Sequence, residues 1–176
     1  MSELPKAYRA IIEPLIETAR GILERGEPLS HMAFVGNLTT GETKIVPISA
    51  GSEQAKDDAA YMVRHLAHLH QADFVFTIMD TWGLPKDKMH RMRQILDEYG
   101  SVGASPYRID CVSLALETRH GLWVAQLPVK PKGVSKRKKT FGKPKFQFFT
   151  EAAGRFVDLL PVKENDGPGW AGCTSA

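Results

Sequence analysis

Apolar residues recur at intervals of three and four between Leu4 and Arg25. Tyr8, Ile11, Ile12, Leu15, Ile16, Ala19, Ile22 and Leu23 fall on one side of a 3.6-residue helix. That spacing predicts a helix, with Gly26 as a suitable stop. Pro14 complicates it, because a proline inside a helix removes a hydrogen bond and clashes with the preceding turn. The element therefore either kinks there or begins afresh with Pro14 near its first turn. HMAFVGNLTTGETKIVPIS follows, two short apolar runs around polar turn residues and Gly41, a hairpin pattern. From Ser52 to Gln71 the pattern is helical again, with Ser52 as N-cap and Ala55, Ala59, Met62, Val63, Leu66 and Leu69 along one face. ADFVFTIMDTW is nearly continuous in apolar, aromatic and β-branched types, which predicts a strand buried on both faces at the centre of a sheet.

Pro85 to Tyr99 reads as a third helix, with Met89, Met92, Leu96 and Tyr99 in phase and Gly100 at its exit. IDCVSLALETRHGLWVAQLPV supplies a second hairpin around ETRHG, FQFF one more short strand, and Glu151 to Leu160 a brief helical turn. Residues 163–176 carry too little apolar content to pack and are expected to form a flexible tail. The order is helix, hairpin, helix, strand, helix, hairpin, strand. Adjacent hairpins without regular βαβ alternation predict a single α+β domain over residues 1–162, a mostly antiparallel or mixed sheet with about three helices packed on it. This order, with AFVGNLTTGETKIVPI, ADFVFTIMDTW and CVSLALETRHGLWVAQLPV, resembles a group of small bacterial and phage proteins without an assigned activity. The central strand of that group commonly ends in a Ser-Glu-Ala-Trp-like sequence where this chain has MDTW. The resemblance implies one α+β domain and no catalytic residue.

Composition agrees with a folded domain. At 176 residues, 43% hydrophobic and 24% charged, the chain can bury one substantial core. No apolar run reaches the roughly 18 residues of a membrane helix, and MSELPKAYRA lacks the basic-then-apolar order of a secretory signal. The cytoplasm is the expected compartment. Two cysteines make neither a disulfide framework nor a zinc spacing: Cys111 sits in an apolar run as a core residue, Cys173 in the tail as an exposed thiol.

Charge is spread unevenly along the chain. KPKGVSKRKKTFGKPK, Lys130 to Lys145, holds eight lysines and arginines and no acid; taking those eight from the net +3 leaves −5 on the other 160 residues. The cations are Lys130, Lys132, Lys136, Arg137, Lys138, Lys139, Lys143 and Lys145. Pro131, Gly133, Gly142 and Pro144 among them discourage both helix and strand, so a long, mobile loop is expected. Phe141 lies inside the cluster, and an aromatic beside cations is the combination that stacks a base while neutralising phosphate. Lys88 and Arg91, in KDKMHRMRQ at the start of the third helix, are a second cationic set; cations oppose the dipole at that end, and a bound anion would relieve the conflict.

Other chemistry is thinner. His65 and His68 lie within about 60° on a helix while His70 falls on its far side, so a metal would need a further ligand such as His31 or Asp73. Asp80 and Trp82, at the end of the central strand, could serve as general base and apolar wall of a pocket, or simply cap a turn and cover the core edge. No Walker, dinucleotide, nucleophile-elbow or zinc-protease motif is present. The leading expectation is a non-enzymatic protein whose basic loop contacts nucleic acid or another polyanion, such as an acidic protein surface, with no cofactor or metal. One alternative is a small enzyme or ligand-binding domain at Asp80 and Trp82. The other is a protein-interaction module whose lysines only keep the loop soluble or guard a sheet edge.

Overall fold

A computed structural model describes residues 3–161. The tail expected at 163–176, with Cys173, lies outside the described residues. The first apolar stripe folds as one helix, α1, Lys6–Glu24, which buries Tyr8, Ile12, Ile16 and Ala19 and runs straight through Pro14. A mid-helix proline costs about 3 kcal/mol, and burying a single large apolar side chain returns about 1.5–3 kcal/mol, so three such residues on the stripe outweigh it. The exposed side of α1 takes the proline, where Thr18 Oγ1 donates to the Pro14 carbonyl at 2.9 Å.

The first hairpin pairs β1, Met32–Gly36, with β2, Thr43–Pro47. Helix α2, Glu53–Leu69, begins at Ser52, whose hydroxyl accepts from the Ala55 amide at 3.0 Å, the expected N-cap. Strand β3, Phe74–Gly83, lies between β1 and β4, Ile109–Thr118. Its even residues Phe74, Phe76 and Ile78 meet α1, and Val75 meets α2 on the other face. The continuous apolar run therefore has a simple cause: each face of β3 is covered by a different helix. β4 turns into β5, Gly121–Pro131, and β5 carries two short strands on its outer edge, β6, Lys139–Phe141, and β7, Gln147–Phe149. Every pairing is antiparallel, in the order β2-β1-β3-β4-β5-β6 with β7 also on β5. The described residues thus form a single α+β domain with three α-helices, and among them no helix is long and apolar enough to cross a membrane.

Two expectations are corrected. The third helical segment is split: a 3-10 helix spans Lys86–Arg91, and α3 starts only at Met92 and ends at Tyr99. The Glu151 to Leu160 stretch forms bends around one short turn at Arg155 and Phe156, with no helix. It is held by the two Glu117 carboxylate oxygens, which accept from the Leu159 amide at 3.0 and 3.1 Å, while Leu159 fills the core under α2.

Candidate nucleic-acid interface at one end of the sheet

The lysine-rich segment is a third hairpin. Val129, Lys130 and Pro131 of β5 face Phe141, Thr140 and Lys139 of β6. The turn between them is closed by the Lys132 amide on the Lys138 carbonyl at 2.9 Å, with Gly133 at φ +62° and Ser135 Oγ accepting from the Arg137 and Lys138 amides. The expected irregular loop is thereby corrected. Pro131 ends a strand, where a missing donor costs nothing, and Gly133 supplies a left-handed turn, so both residues shape the hairpin instead of preventing it.

Helix α1 holds this hairpin in place. Arg20 donates from Nε to the Phe141 carbonyl at 3.1 Å and from Nη2 to the Gly142 carbonyl at 3.0 Å, and its guanidinium lies 4.7 Å from the centre of the Phe141 ring. One turn later Glu24 accepts from Lys132 Nζ at 2.6 Å and Thr140 Oγ1 at 2.9 Å. The Lys132 and Thr140 hydrogen bonds hold the Glu24 carboxyl below its usual range. Sequence reading missed both anchors: they sit more than a hundred residues away, on a helix whose apolar stripe alone carried a signal.

Not every cation is available to a partner. Lys132 is committed to Glu24, and Lys139 lies 3.8 Å from Asp110. Lys130, Lys136, Arg137, Lys138, Lys143 and Lys145 are exposed and make no ion pair among the described residues. Phe141 is 2% exposed, packed in the core beneath Arg20, so the expected base-stacking ring is not on the surface. Phe146 and Phe148 also pack against the core.

Lys88 and Arg91 lie at the same end of the sheet. Gly83, the last residue of β3, faces Ile109; two residues along β4, Cys111 faces Pro128, just before the hairpin. The 3-10 turn takes Lys86 and Lys88 away from the start of the α-helix, while Arg91 stands at the N-cap of α3 and Arg93 in its first turn, which holds no acid. Lys88 Nζ and the Arg91 guanidinium instead each lie 5.5 Å from the Tyr107 ring centre, and Arg108 lies 5.0 Å from that of Trp82. Lys88 also sits 3.6 Å from Asp87.

Asp80 and Trp82 part company. Asp80 lines a cleft of about 340 Å³ with Asp110, Arg137 and Lys139, roofed by the end of α1 and the residues after Gly26. Trp82 is 52% exposed and leans on Gly103 outside that cleft. Desolvation raises the Asp80 carboxyl above its usual value, and Asp110 adds to this while His31 and Lys139 oppose it. Burial likewise raises the Cys111 thiol, which is 2% exposed, as suits a core residue rather than a nucleophile. His65 stacks on Tyr61 on the outer face of α2, and no group of three or more His, Cys, Asp or Glu is poised for a metal among the described residues. Comparison with known proteins found no matching family model, no matching curated protein and no matching solved structure.

Proposed function

We propose that the protein is a non-enzymatic nucleic-acid-binding module that uses the β5–β6 hairpin and the stretch after it as its contact surface. One observation carries the reading: six exposed cations in a segment of sixteen residues have no ion pair among the described residues, while Arg20 and Glu24 fix the hairpin that bears four of them. A charged stretch that serves solubility alone gains nothing from such anchoring. A partner gains much, because a surface ordered in advance loses less conformational freedom on binding. Lys88, Arg91 and Arg108 extend the cationic character across the same end of the sheet.

The test removes charges that have no structural partner. The variant Lys136→Gln, Lys138→Gln, Lys143→Gln, Lys145→Gln leaves the Glu24 and Asp110 pairs untouched. Its binding to a 20-base-pair duplex, followed by fluorescence polarisation, should weaken, and the slope of log K against log salt should shrink by about 3–4. Unchanged binding in a variant with wild-type melting temperature refutes the assignment. The cleft at Asp80 supports a second reading, a small-ligand site, since it sets a desolvated carboxylate beside two cations. That reading requires Asp80→Asn to abolish the binding of a small ligand while leaving duplex binding intact.

A further inference from the structure

Resting on the nucleic-acid reading, we infer that the partner is double-stranded and is held through its phosphates, without base stacking and without choice of sequence. The positions of the aromatic rings separate a single strand from a duplex. Proteins that grip a single strand offer exposed rings to successive bases, each worth about 1–3 kcal/mol, beside cations for the backbone. Here the ring within the basic segment is buried and roofed by a guanidinium. Phe148 packs on Trp123 with ring centres 4.6 Å apart, far along β5 from the hairpin turn.

The other rings at this end of the sheet are engaged as well. Tyr107 has Lys88 and Arg91 over it, and Trp82 has Arg108, whose Nη1 donates to the Gly103 carbonyl at 2.7 Å. Each of these rings already has a cation over one face, and a base stacking on that face would have to displace it. Adenine readout is unsupported, because the asparagine and glutamine it needs are absent from Lys130 to Lys145, and only one of the six free cations there is an arginine, whose planar fork suits guanine better than a lysine does.

What remains is a fixed array of point charges. Its natural complement is a rigid array of opposite charge, and a duplex carries one phosphate charge per about 1.7 Å of axis, twice the density of one strand. If all six free cations meet phosphates, log K should fall with log salt at a slope of about −5.

The experiment measures polarisation of a labelled 20-base-pair duplex in two unrelated sequences, oligo-dT and oligo-dA of equal length, and polyglutamate as competitor, from 50 to 200 mM salt. The inference expects both duplexes to bind equally, at least about threefold tighter than either single strand, with the steep slope. Tighter binding of a single strand, or a preference for dT over dA, overturns it while the nucleic-acid reading stands, provided the four-lysine variant loses that binding. Capture of polyglutamate but of neither nucleic acid overturns both. A single strand bound as tightly as the duplex, or one duplex preferred to the other, also counts against it.

Discussion

Arg20 and Glu24 stand one helical turn apart on α1, and between them they engage Phe141, Gly142, Lys132 and Thr140. Neither interacts through apolar burial, so neither stood out against the stripe that predicted the helix. Asp80 shows the complementary case, a residue legible in the sequence whose surroundings were not. Its position at a strand end was clear from MDTW, but the cations beside it, Arg137 and Lys139, come from more than fifty residues downstream. Because the folded chain raises the Asp80 carboxyl above its ordinary value of 3.8, the folded state holds that proton more tightly than the unfolded state does. Stability from this group is therefore intact below pH 3.8 and is lost as pH rises through the higher folded value. Asp80→Asn should raise the melting temperature at pH 7 and leave it near wild type at pH 3; an unchanged difference across that range would show that the carboxyl is not strained by its surroundings.

At the scale of elements, the outer edge of β5 decides how the basic segment is displayed. β6 and β7 pair with the same strand, but their registers differ by one residue. The extra residue, taken up in Gly142 to Phe146, reverses the alternation of side chains, as a bulge does. Phe141 can thus face the same core as Phe148, although an odd and an even position on one unbroken strand would point to opposite faces. Gly142 and Pro144 lie inside this detour, beside Lys143 and Lys145, which stay exposed. Pro and Gly read correctly as breaks in strand pairing; their message that the whole segment is irregular failed because pairing resumes on either side of them. The hairpin's order depends on α1, and that dependence can be measured. Glu24→Ala should speed hydrogen exchange of the amides of residues 132–141 by about tenfold or more while leaving the β3 amides at wild-type rates. Equal protection in the two proteins would mean that the strands hold without the anchor.

Over the whole molecule, apolar periodicity was enough to place α1, α2, the second half of the third helical segment, the first two hairpins and the central strand, because those elements are defined by which face they bury. The end that carries the candidate interface was only half legible. Its charge was plain in a segment holding eight of the 23 lysines and arginines, yet its shape was not, since shape there comes from ion pairs and carbonyl bonds to a distant helix. The fold brings the hairpin, the 3-10 turn and Arg108 to one end of the sheet, and it leaves α2 with its exposed Tyr61, Met62 and Leu69 away from them. Where a duplex sits on the protein is measured directly by titrating isotopically labelled protein with a short duplex and following amide chemical shifts. Shifts are expected to concentrate at residues 130–145, with smaller ones at 86–91 and 108, and to vanish at high salt. Shifts centred on the α2 surface, or absent from 130–145 while the duplex is bound, would contradict this placement.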